Sequence, residues 1–187
     1  MRDIAHQTKT NLASAHYHFG SKEGMVLEMI KSKIEPINEK RRKRLHDAKF
    51  NSPNHRLPTI EIFRALILPV GEEVEKQIGN KSGIIEIIAR SFTEPATFLE
   101  KVHKRFFGEL SQVFMDELKI SHPQASEVDL YWNYHFAVSS MLGALAQHRR
   151  IHDFSSGKCN ANAVHDMIER LIVFVSNGFD AGIKKKL

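Results

Sequence analysis

Ser14, His16, Tyr17 and Lys22 lie close together and carry the kinds of hydrogen-bonding group that read a nucleic-acid duplex. A serine hydroxyl and an imidazole can bond base edges, and the methyl of Ala13 can touch a thymine methyl. Tyr17 and Asn11 can reach phosphate oxygens. Lys22 stands where a helix begins, so its charge adds to exposed backbone N–H groups to form a phosphate clamp. With residues 12–19 helical, Leu12, Ala15 and Phe19 share one face at three- and four-residue spacing and pack inward. Ala13, Ser14, His16 and Tyr17 are then left on the opposite side, free to face a groove.

Two short helices must position these groups, one over 3–9 and one over 12–19. Asn11 is placed to cap the second, Gly20-Ser21 to stop it, and Ser21 to cap the helix that follows. Such a pair is the minimum for helix-turn-helix recognition, in which the first helix crosses the phosphate backbone and the second enters the major groove. Charge agrees with this placement. Residues 1–49 hold 11 Lys/Arg against 6 Asp/Glu, whereas residues 50–187 hold 16 of each, so the excess of +5 sits in the first quarter of the chain, where a polyanion would be met.

Arg2-Asp3-Ile4-Ala5 followed by Tyr17-His18-Phe19-Gly20-Ser21-Lys22-Glu23 resembles the signature of the TetR family's DNA-binding domain. The resemblance implies a transcriptional regulator: a ligand-responsive homodimeric repressor bound to palindromic double-stranded operator DNA. It places Asn11 at the cap of the recognition helix, Tyr17 and Lys22 on phosphates, and Ala13, Ser14 and His16 at the groove. Arg2, Leu12 and His18 complete the candidate DNA-binding set. Two departures from the family pattern stand out. Thr8-Lys9-Thr10 replaces the usual small-Gly-apolar turn, and Met1 falls where the family's second helix begins, so its first helix is missing from the sequence as read. The second reading is therefore a helical ligand-binding or scaffold protein that has lost DNA binding.

Beyond the motif the chain reads as all-α, because apolar residues recur at helical spacing and no run alternates between tight-turn pairs. A long helix is expected over 22–48, with Val26, Ile30, Ile34 and Ile37 as its apolar stripe and Pro36 kinking it. The linker Asn51-Ser52-Pro53-Asn54 then precedes helical patterns near 57–77, 82–91, 95–120, 124–150 and 160–182. This gives a DNA-binding module with its connecting helix at 1–48, and an effector-binding and dimerisation domain at 57–187. The basic run Lys40 to Arg44 reads as a solvated helix face.

Aromatic residues crowd the C-terminal region and make a small, largely apolar effector plausible. His103, Phe106, Phe107, Gln112, Trp132, Tyr134 and Phe136 are its candidate ligand residues. The last two long helices each carry an apolar stripe: Trp132, Phe136, Ser139, Gly143 and Ala146 on one, Val164, Ile168, Leu171, Val175 and Phe179 on the other. The resemblance implies a four-helix dimer interface there, with Trp132, Phe136, Gly143, Ile168, Leu171 and Val175 as its candidates.

No Ser/His/Asp order, glycine-rich phosphate loop or paired-carboxylate motif stands out, so no enzyme and no cofactor are expected. His148 and His152 share a helix face, but no third ligand accompanies them and no metal site is expected. The sequence shows neither a leader nor an apolar span of membrane length, and Cys159 is its one cysteine. A cytoplasmic protein that does not enter the membrane is the expectation.

Overall fold

The computed structural model describes residues 21–76, residue 87 and residues 94–183. The helices expected at 3–9, 12–19 and 82–91 lie outside the described residues, apart from helical Ile87. Among the described residues the protein is all-α, with seven α-helices: α1 (Lys22–Phe50), α2 (Thr59–Lys76), α3 (Ala96–Phe106), α4 (Gly108–Ser121), α5 (Glu127–Ala146), α6 (Arg150–Phe154) and α7 (Val164–Gly182).

Helix α1 starts where its cap requires. Ser21 is extended, and its hydroxyl accepts from Gly24 N at 2.9 Å, with Glu23 in the first turn and Lys49 in the last to suit the helix dipole. The helix runs on through Pro36 for 29 residues. Its expected stripe is the buried one: Ile30, Ile34 and Ile37 are buried and Val26 is partly so. The linker after it turns through Asn54 and His55, both at positive φ (61° and 52°), a region that Asn and His enter more readily than most side chains.

The centre of the fold is α2. Ile62, Phe63, Ala65, Leu66, Ile67, Pro69, Val70, Gly71 and Val74 are all buried, so this helix is covered over most of its circumference, and only the stripe of Glu61, Arg64, Glu72 and Glu75 faces outward. It packs on α7 and α1, and more narrowly on α4, while α7 also packs on α5. Phe63 meets Phe179 of α7 edge to face at 5.3 Å.

The C-terminal patterns divide more finely than their periodicity suggests. The single helix expected over 95–120 is two, α3 and α4, separated at Phe107 (φ −124°, ψ −18°) before Gly108. Glycine is a poor helix former, and the Phe106 carbonyl at this break is taken from outside by Asn38 Nδ2 at 2.7 Å. Likewise the 124–150 pattern ends at Ala146 and resumes as the short α6, and it begins at Ser126, whose hydroxyl accepts from Asp129 N.

Gly71 allows α2 and α7 to touch. A Cβ at this position would stand 2.5 Å from Ile168 Cγ1, and Ile168 is itself fully buried. Gly→Ala inside a helix ordinarily stabilises by about 0.5–1 kcal/mol. Here the crowding reverses the sign: Gly71→Ala lowers stability by about 1–3 kcal/mol in urea unfolding, and combined with Ile168→Ala, which removes the crowding Cγ1, it costs less than the sum of the two single losses.

Candidate functional site

The basic run of α1 is not uniformly a solvated face. Arg42 and Lys43 are exposed, but Arg41 is buried, because continuing the stripe of Ile34 and Ile37 by one turn lands on it before reaching Leu45. Its guanidinium is held by neutral groups. Nε donates to Leu66 O at 2.7 Å and Nη1 to Asn38 Oδ1 at 3.1 Å, and Nη2 lies 3.8 Å from Met141 Sδ. Burial pushes the Arg41 pKa down to about 10, offset slightly by Tyr134, so the group keeps its charge at neutral pH. Burial in turn raises the Tyr134 phenol, while a hydrogen bond from Ser111 and the charge of Arg41 oppose the rise. Arg41, Asn38, Tyr134 and Ser111 thus form a polar seam joining α1, α4 and α5 inside an otherwise apolar core.

The candidate ligand residues do not gather into one pocket. Phe106 is buried, Phe107 and Tyr134 are half-buried, and Asn38 ties the Phe106 carbonyl to Arg41. His103 and Gln112 are exposed, Gln112 donating to Asp116 Oδ1 at 2.7 Å on its own helix. Trp132 and Phe136 stack on each other at 5.6 Å on the outer face of α5 and point to solvent, so they line no interior cavity. Asn38 and Arg41 were missed because a run of five cations reads as surface until its phase is compared with the apolar stripe.

The two outer helices present different faces. On α5 the expected stripe is open, with Trp132 56% and Phe136 55% exposed, and Val128 and Tyr131 extend it. A Cβ at Gly143 would meet nothing within 4 Å. On α7 the expected stripe of Ile168, Leu171 and Val175 is buried within the chain's own core, so these three side chains are not available to a partner. The open apolar residues of α7 are instead Val173 and Phe174, beside Asn177 and Gly178 in a shallow surface groove.

The DNA-contact candidates Arg2, Asn11, Leu12, Ala13, Ser14, His16, Tyr17 and His18 lie outside the described residues. Lys22 opens α1, which is tied to the rest of the fold along its length. Glu23 and Glu28 pair with Lys101 and Arg105 of α3, Arg44 pairs with Glu72 of α2, and Lys49 pairs with Glu117 of α4. His148 Nδ1 lies 3.0 Å from Leu145 O, and among the described residues no three His, Cys, Asp or Glu side chains cluster to hold a metal ion. Nor is any described helix long and apolar enough to cross a membrane.

A second polar cluster joins three helix ends. Thr59 Oγ1 donates to Asp180 Oδ1 at 2.6 Å and lies 2.8 Å from His122 Nε2, while the His122 ring rests 5.6 Å from Phe179. Because the threonine proton goes to Asp180, Nε2 must donate to Thr59, and an imidazole nitrogen bearing a proton cannot take one from a hydroxyl. The cluster therefore ties α2, α4 and α7 together and activates no nucleophile.

Burial holds the His122 pKa below its ordinary value of 6.5, and Arg56 adds to this against the pull of Asp180. The unfolded chain therefore binds the proton more readily. The contribution of His122 to stability is complete above about pH 6.5 and is lost as pH falls through and below that value. Gln at this position keeps a donor near Nε2 and cannot titrate. In urea unfolding across this range, His122→Gln loses less stability on acidification than the parent chain, and an equal loss would show that His122 is not the group responsible.

Residues 64–178, more than half of the chain, match the family described as "Tetracyclin repressor-like, C-terminal domain". No curated protein matches the chain. Together with the all-α architecture built around α2, the match shows that the chain belongs to the TetR-like family through its C-terminal domain.

Proposed function

We propose that this chain is a ligand-responsive transcriptional repressor of the TetR type that binds a palindromic operator as a homodimer. The observation that carries the reading is the family match over residues 64–178, the domain that in such regulators takes the effector and the partner subunit. The N-terminal motif Tyr17 to Glu23 and the positive charge of residues 1–49 support a DNA-reading head, with residues 1–48 as reading module and lever and 57–187 as the responding domain. The partner is a second copy seated on the outer faces of α5 and α7, around Tyr131, Trp132, Phe136, Val173 and Phe174, with Gly143 and Gly178 allowing close approach. A small, mostly apolar effector in the C-terminal domain shifts the spacing of the two heads through α1 and releases DNA.

The test joins assembly to binding. In an electrophoretic shift with the DNA upstream of its own coding sequence, the full chain retards a palindromic site, and binding weakens steeply as salt rises. In sedimentation the parent chain is a dimer, whereas Trp132→Glu combined with Phe174→Glu gives a folded monomer whose operator affinity falls by about a hundredfold or more, because one head alone holds half a site. A monomeric parent chain, or DNA left unshifted at low salt, overturns the reading.

A further inference from the structure

Arg41 brings a full positive charge into the core and meets no carboxylate among the described residues. A guanidinium has five N–H donors. Here two oxygens receive them, both neutral, and the remaining contact is the thioether of Met141, a weak acceptor. The Nη1–Nη2 edge, the fork that fits two oxygens of an acid, is therefore the poorly satisfied side. A buried charge held only by neutral dipoles is costly, and a site of this kind gains most from a counter-ion.

We infer that Arg41 anchors the acidic head of the effector, and that the effector is a small molecule carrying one carboxylate on an apolar body. This rests on the effector-responsive reading above and names the ligand class for that domain. The neighbours suit both parts of such a molecule. Tyr134, near enough to Arg41 to feel its charge, carries a phenol that can donate to a second carboxylate oxygen. Leu66, Phe106, Met141 and Ile37 are all buried and supply the apolar surroundings. Met141, unbranched and adaptable, is the side chain that yields its place beside Nη2. The charge balance selects the head group. The nearby cations Arg44 and Lys49 are already paired with Glu72 and Glu117, so one guanidinium is left to be neutralised. A carboxylate matches it, whereas a phosphate dianion would leave a buried charge of its own.

Titration calorimetry on the full chain tests this without DNA, using hexanoate, octanoate, decanoate and benzoate against the matching alcohols and alkyl phosphates. The carboxylates bind at least about tenfold more tightly than the alcohols, the difference one charge-assisted bidentate contact supplies. They also bind more tightly than the phosphates. Arg41→Met, which keeps an apolar stem and removes the charge, abolishes the preference for acid over alcohol. Where that variant does not fold, Tyr134→Phe reads the same site through a reduced preference. Equal affinity for acids and alcohols, binding by neither series, or an unchanged preference in both variants overturns the proposal. The gel shift keeps the two readings apart: acid binding without an operator shift preserves the anion site and fails the regulator reading, and the reverse pattern fails the anion site alone.

Discussion

The fold depends on covering α2, whose apolar surface spreads over most of its circumference and leaves only the stripe of Glu61, Arg64, Glu72 and Glu75 toward water. With Ile62, Phe63, Leu66, Ile67, Val70 and Val74 all buried, α2 needs partners on several faces, and α1, α4 and α7 are those partners. Everything else follows as a way of letting them approach. Gly71 removes the side chain that would keep α7 away, and the Phe63–Phe179 pair locks the same contact edge to face. Such packing leaves α7 with its stripe spent inside the protomer. What this helix has left for another molecule is the opposite side, Val173 and Phe174, and not the row its periodicity first draws to notice.

An all-helical core must also satisfy helix ends and the polar groups stranded between them, and here three buried or half-buried polar ties do so. Thr59, His122 and Asp180 close the start of α2 against the ends of α4 and α7. Arg56 Nη2 donates to Ser121 O, and Ser121 in turn donates to Leu57 O, so the linker after α1 is stitched to the end of α4. Arg41 bonds the Leu66 carbonyl of α2, and Asn38 serves the break between α3 and α4. The Asn38 bond answers a local backbone defect, the break before Gly108. Polar side chains are retained in the core where the backbone leaves carbonyl oxygens that apolar ones cannot serve.

Much of this was legible in the sequence where a single local cause decides the outcome. Ser21 stops one segment and caps the next because an extended serine satisfies an orphan N–H, and the outcome needs nothing from the rest of the chain. The stripe of α1 and that of α7 were legible because burial follows period. What failed to show was anything needing a partner's position. The separation at Phe107 depends on Asn38 arriving from 68 residues away to take a carbonyl oxygen. The composition of the run Lys40 to Arg44 points to solvent, and only its phase relative to Ile34 and Ile37 turns Arg41 inward. The α7 stripe was correctly drawn, yet period alone says only that a face is covered, not by which chain. The candidate ligand set scattered for the same reason: aromatic content marks a core without saying which rings turn inward.

The strength of its ties gives α1 a direction of movement. At its N-terminal end Glu23–Lys101 and Glu28–Arg105 are exposed pairs, of a kind worth about 0–1 kcal/mol each. From Asn38 onward the ties are buried or half-buried: Asn38 to Phe106 O, Arg41 to Leu66 O, and Lys49 to Glu117, whose carboxylate is buried. Leaving a buried polar group without its partner costs about 1–3 kcal/mol, more than losing an exposed pair. In the proposed mechanism α1 therefore turns about its C-terminal half, giving up the Glu23 and Glu28 pairs first, and the largest displacement falls at Lys22, where the reading head is attached. The same gradient puts Arg41 next to the pivot, where in that mechanism a sub-ångström change in packing would be lengthened by α1 into a larger shift at Lys22.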